Sequence, residues 1–173
     1  MYLSRYRTLF ALLLVLSLAP GEARSEWTVA ELEDIGQGEE AQVAFTDNEE
    51  GYSLEIYRDS VNAVRGRFTL AGELLAFAER SCATYQIDRG APRNRSINNA
   101  PCLSTDRWSE YILGYIENRH IASSPLLAIM NGINIVFRFK LENGDYRTTS
   151  FSLQGSKRAL TTVLGDDVNV GPD

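Results

Sequence analysis

The chain has 173 residues, 17 Lys and Arg against 23 Asp and Glu, one histidine, two cysteines and a net charge of −6. An acidic balance argues against nucleic acid and anionic membrane as main partners. One histidine and no CxxC pair leave a zinc site without its usual ligands.

The N-terminus reads as an export signal. Arg5 and Arg7 form a short basic head, Leu9 to Ala19 is apolar apart from Ser17, and Gly21 and Ala23 put small residues where a signal peptidase reads. A run of this length is too short to span a hydrocarbon core of about 30 Å as a helix. No later stretch has transmembrane length, so no integral membrane segment is expected after cleavage. Cutting after Ala23 leaves residues 24–173 as one expected domain. The cut removes two arginines and one glutamate, so the net charge becomes −7. A chain of this size buries roughly 68–70% of its unfolded surface, enough for a core. The expected location is periplasmic or secreted.

Residues 31–50 hold eight acids and no Lys or Arg, and read as a solvated edge with one strand, AQVAF, inside it. No D-x-D-x-D loop is present for calcium. Tyr52, Leu54 and Ile56 alternate with Ser53, Glu55 and Tyr57, and Val64, Gly66, Phe68 and Leu70 alternate with Arg65, Arg67 and Thr69. Both patterns have the period of strands with one wet face, and the short link Asp59–Asn62 makes them a hairpin. ELLAFAERSCATYQID reads as another strand or two, with a helix over Glu73–Arg80 as the alternative. In an exported chain Cys82 and Cys102 are expected to pair. A closed loop of about 20 residues stabilises a fold by roughly 3 kcal/mol.

Trp108 opens the apolar strand WSEYILGYI. In SSPLLAIMNG, Ser124 suits a helix N-cap, Pro125 the first turn and Gly132 a left-handed C-cap, which predicts a short helix near 125–131. INIVFRFKL places Ile133, Ile135, Phe137, Phe139 and Leu141 on one face. YRTTSFSL follows the turn Asn143-Gly144, with Thr149, Phe151 and Leu153 on one face. A two-residue loop would set Phe139 against Thr148. A three-residue loop, Glu142-Asn143-Gly144, sets Ile135 against Phe151 and matches the apolar faces, so the odd loop is expected. Ala159, Leu160, Val163 and Leu164 share a helical stripe that Gly165 stops, predicting a second helix near 156–164. NVGPD reads as a frayed tail. The fold expected is mainly β: an antiparallel sandwich or partly closed barrel with two short helices.

The stretch FSLQGSKRALTTVLG resembles the closing motif of the invasion-associated locus B proteins of bacteria. In that motif a hydrophobic strand ends in a Ser-Leu-x-Gly turn, and a short helix carries Ala-Leu and a later aliphatic. Ser152-Leu153-Gln154-Gly155 and Ala159-Leu160 match in order and spacing. The export signal, size, early Trp27 and β-rich middle fit as well. The resemblance implies a small exported β-rich domain linked to host-cell entry, with no established enzymatic chemistry.

Catalytic motifs are scarce. His120 is the only histidine, with Ser123 and Ser124 near it, but no G-x-S-x-G or S-x-x-K is present. Phosphate-binding glycine loops are absent, and neither a metal nor a cofactor is expected. The segment between the cysteines stands out instead. Arg89, Arg93 and Arg95, with Arg80 upstream, form a basic patch on an acidic chain, and Tyr85 could add a flat contact. Arginine forks suit a carboxylate, a phosphate or an acidic protein partner. The plainer reading pairs these arginines with the acidic segment 31–50. Asn94-Arg95-Ser96 also matches a glycosylation acceptor, relevant only in a eukaryotic host. The expected function is an exported, non-enzymatic binding protein that docks an acidic or anionic partner through a disulfide-closed basic loop. The alternative is a periplasmic hydrolase using a carboxylate pair or His120.

Overall fold

The computed structural model describes residues 26–32, 41–94 and 102–173. The export signal expected over 1–23 and most of the acidic stretch before Ala41 lie outside them. Eleven strands and two helices occur among the described residues, arranged as open, mainly antiparallel sheets packed face to face.

The larger sheet runs β1-β2-β3-β4-β7-β6. It comprises β1 (Thr28–Leu32), β2 (Ala41–Asp47), β3 (Ser53–Arg58), β4 (Ala63–Thr69), β6 (Leu103–Ser104) and β7 (Trp108–Tyr115). The period-two pattern places Leu54, Ile56, Phe68, Tyr111 and Leu113 on its inner face, all buried. The β3–β4 hairpin forms as the alternation predicts, with Leu54 opposite Phe68. Its link is held by the Asp59 carboxylate, which accepts from the amides of Val61 and Ala63.

The smaller sheet runs β10-β9-β5, from β5 (Thr84–Ile87), β9 (Asn134–Lys140) and β10 (Tyr146–Ser152). Ile135 faces Phe151 across β9–β10, the register of the odd loop. Gly144 closes that loop at φ +91°, a backbone conformation that glycine adopts without a Cβ clash. Ile133 departs from the expected face. It precedes β9 and stands 79% exposed, because the chain there is still leaving a helix.

The two inner faces meet around Phe68. Its ring stacks on Phe137 at 4.4 Å between centroids, and Phe139, Phe77, Phe151 and Tyr52 surround it within 6.2 Å. Each such aromatic buries roughly 150–250 Å², and well-oriented ring pairs add about 0.5–1.5 kcal/mol each. This one cluster therefore joins β4, β9, β10 and the segment carrying Phe77. That segment is irregular, and no helix forms over Glu73–Arg80. Phe77 must point into the core while its amide donates to Asp106 O, and Ala78 donates to Lys140 O. Arg107 adds hydrogen bonds to the carbonyls of Gly72 and Leu75. A helix would withdraw those backbone groups from their neighbours.

Helix α1 spans Ser124–Asn131. Its N-cap is Ser123 rather than Ser124: the buried Ser123 Oγ accepts from Leu126 N at 3.1 Å and donates to Leu113 O, so one hydroxyl ties the helix to β7. Gly132 is extended at φ −79°, not left-handed. It is glycine for lack of room, since a Cβ would lie 2.7 Å from Ala128 O and 3.0 Å from Leu153 Cδ1. Helix α2 spans Ser156–Leu164 and buries Ala159, Leu160 and Leu164 against α1 and the β1–β3 end of the sandwich. Ser156 Oγ donates to Ile129 O at 2.8 Å, linking the two helices. Trp27 Nε1 reaches Ser152 O at 2.9 Å.

The C-terminus is not a frayed tail. β11 (Asn169–Gly171) pairs in parallel with β8 (His120–Ala122). Beyond it, the Asp173 carboxylate accepts from Ser124 N at 3.0 Å, and the hydrogen bonds from Ser124 hold that carboxyl below its usual value. The polar residues of NVGPD hid a strand whose stability comes from its partner rather than from its own propensity.

Candidate functional site

Cys82 and Cys102 are bonded across a separation of 20 residues. The bond fastens a segment that leaves β5 through Asp88, turns at Gly90 and comes back along the free edge of β5. There Arg93 and Tyr85 exchange both backbone hydrogen bonds, at 2.7 Å each. Asp88 anchors the turn from the other side, its carboxylate accepting from the amides of Ile133 and Asn134. The segment is thus a strap over a sheet edge.

The arginines expected to form a patch are only partly brought together. Arg89 and Arg93 are exposed and make no ion pair within 4 Å among the described residues. Pairing across β5 puts Arg93 on the Tyr85 side of the edge, where Asp173 feels its charge. Arg80 lies beside Glu79 at 3.7 Å, both about nine-tenths exposed. Arg95 lies outside the described residues. Tyr85 offers no flat contact: it is 3% exposed, its ring packed edge-on against Tyr111 at 5.0 Å. Burial pushes its hydroxyl up to about 12. Tyr85 points inward because Thr84 and Gln86 take the outward positions of β5, a choice the unpaired sequence pattern did not reveal.

The outward positions of the small sheet build a different site. Arg138 at the centre of β9 sits between Thr84 on β5 and Thr148 on β10, and Lys140 sits opposite Tyr146. Arg138 Cζ is 5.3 Å, and Lys140 Nζ 5.9 Å, from the centre of the Tyr146 ring, which is 64% exposed. Cys82, Ser81 and Pro92 of the strap wall the β5 side. Together they enclose an open groove of about 680 Å³, within the range of ligand pockets. None of its described lining residues is acidic. Neither Arg138 nor Lys140 makes an ion pair within 4 Å among the described residues. Both cations were visible as the outward positions of INIVFRFKL. Their convergence with the strap depends on sheet order, which a linear pattern does not carry.

A second charged constellation lies on the outer face of the large sheet. Glu110 is 5% exposed and accepts from Arg65 at 2.9 Å, from Arg67 through Nε at 3.0 Å and Nη2 at 2.9 Å, and from the Tyr57 hydroxyl. Arg65 also binds Asp59 at 2.7 Å, and Arg67 lies over Trp108 at 4.9 Å. Tyr57, expected on a wet face, is buried, and desolvation followed by its bond to Glu110 pushes its hydroxyl far up. Glu55, on the other side of Arg67, has its carboxyl raised chiefly by desolvation, against the lowering pull of Arg67. Glu110 has its oxygens committed to three neighbours, which suits a structural tie rather than proton transfer.

His120 stands exposed on β8. Ser123 is occupied as a helix cap, so these two do not form a nucleophile–base pair. Among the described residues no group of three or more His, Cys, Asp or Glu is placed to hold a metal, and no helix is long and apolar enough to cross a membrane. Comparison with family models, curated proteins and solved structures finds no match to this chain.

Proposed function

We propose that this chain is an exported, non-enzymatic binding protein that docks an anionic partner in the groove on the outer face of the β10-β9-β5 sheet. The observation that carries the proposal is the pair Arg138 and Lys140, without acidic partners within 4 Å among the described residues, inside a concave site on a chain of net charge −6. Unneutralised cations of this kind are available to a ligand, whereas the Arg65 and Arg67 pair is already spent on Glu110. The disulfide supports an oxidising location, and the basic head and apolar run of residues 1–23 support export. The likeness of the closing motif to invasion-associated locus B proteins agrees with a binding role. Arg89 and Arg93 lie on the strap outside the groove lining, Arg93 on the Tyr85 side of the β5 edge, and add only a longer-range positive potential that salt screens.

Calorimetric titration with short oligoglutamate and with a sulfated polysaccharide tests this reading. At least one anionic probe should bind, with affinity falling as salt rises. The double variant Arg138→Ser/Lys140→Ser should lose most of the binding at an unchanged melting temperature, and Arg89→Ser/Arg93→Ser should lose less. Binding that is absent, or indifferent to the groove substitutions, would overturn the proposal.

A further inference from the structure

The groove lies over the three strands of the small sheet. Its floor follows β9 from Val136 to Lys140, a span of about 13 Å at roughly 3.3 Å per residue. One wall is the strap residue Pro92 with Cys82, and the other is Tyr146 on β10. Such a slot has the length of four or five residues of extended chain. Arg138 and Lys140 are two positions apart on one face of a strand, so their roots are separated by about 6.6 Å. Alternate side chains of a second extended strand repeat at that same interval. On either side of Arg138 the exposed or half-exposed hydroxyls of Thr84 and Thr148 can donate to a carboxylate without repelling it.

Edge pairing is obstructed along part of both borders of the small sheet. On the open side of β10, Ser150 O accepts from Asn48 Nδ2 at 3.0 Å and Ser152 O accepts from Trp27. On β5, Tyr85 is taken by Arg93. The β5 edge at Tyr85 and the β10 edge at Ser150 and Ser152 are therefore blunted, and a peptide lying over the groove is read by its side chains across the face.

We infer that the groove takes an acidic peptide segment in extended conformation, with carboxylates at alternate positions meeting Arg138 and Lys140. This rests on the anionic-partner reading and adds the class and spacing of the ligand. Three capped peptides of identical composition test it by titration calorimetry at low salt, with their glutamates alternate, contiguous, or three apart. Inorganic phosphate and a sulfated polysaccharide serve as further probes. The alternate peptide should bind about fivefold more tightly than the other two, the equivalent of one more exposed charge contact of about 1 kcal/mol. That preference should vanish in Arg138→Ser and in Lys140→Ser, with circular dichroism unchanged. The charge reversal Arg138→Glu/Lys140→Glu should favour the matching lysine peptide. Equal affinity for all three acidic peptides would overturn the spacing and leave an anionic partner standing. Binding of phosphate or polysaccharide alone would overturn the peptide and leave the groove as an anion site. Failure of every anionic probe would overturn both readings together.

Discussion

Glu110→Ala is the sharpest perturbation of the charged network on the large sheet. Glu110 accepts three arginine hydrogen bonds and one from the Tyr57 hydroxyl while 5% exposed. Removing one member of a fully buried ion pair costs about 3–5 kcal/mol, because the remaining charge loses its partner. Here the cost is smaller. Arg65 and Arg67 are 21% and 23% exposed, so both can turn partly to water, and Arg65 keeps Asp59. The expected loss is about 2–4 kcal/mol for Glu110→Ala and about 1–2 kcal/mol for Glu110→Gln, which keeps an acceptor of the same shape. Urea unfolding, with the disulfide intact and the slope m unchanged, gives both values. A double-mutant cycle with Arg67→Met should show a coupling of about 1–2 kcal/mol. A Glu110→Ala loss under about 0.5 kcal/mol, the scale of ordinary surface changes, would refute the reasoning and reduce the cluster to a solvated face.

Gly114→Ala should cost about 1–3 kcal/mol in the same assay, because the added Cβ would lie 2.7 Å from Ile121 Cγ2 and 3.3 Å from Ser123 Cβ; a neutral result would mean that β8 is free to shift. Cys82→Ser should lower stability by roughly 3 kcal/mol, the loop-closure value for a separation of 20 residues, and thiol titration of the unsubstituted chain, unreduced and denatured, should find no free thiol. Glu55→Gln should raise the melting temperature near pH 7. The Glu55 carboxyl is raised above its ordinary value of 4.5 in the folded chain. Its favourable contribution is therefore complete below about 4.5 and lost as pH rises through the folded value. The gain from Gln should shrink as pH falls toward about 4, and a gain that grows on acidification would contradict the sign.

Local periodicity carried most of the fold. The β3–β4 hairpin, the odd loop between Phe139 and Arg147 and the stripe Ala159-Leu160-Leu164 all follow from side chains that must share a face. Where a residue has two physical uses, pattern alone misplaced it. Ser123 and Ser124 both suit an N-cap, and the choice fell to the one whose hydroxyl also reaches Leu113. Tyr57 alternates correctly, yet it is buried because Glu110 and Arg67 from two other strands close around it. The parallel pairing of Asn169–Gly171 with His120–Ala122 joins segments some fifty residues apart and leaves no trace in either one. The groove is the same kind of object: Arg138, Lys140, Tyr146 and Pro92 become one surface only once β5, β9 and β10 are set in order. The cysteines were legible as a bond, but the concave surface beside the strap they hold was not, because its cations Arg138 and Lys140 come from β9.

The most direct test of the binding account is a backbone-amide NMR titration of the chain with the alternate-glutamate peptide at low salt. Shifts should concentrate on Thr84, Gln86, Val136, Arg138, Lys140 and Tyr146, and they should fade as salt is added. Shifts confined to the Arg65–Arg67 face or to the exposed strap around Arg89, with the β9 amides silent, would contradict it.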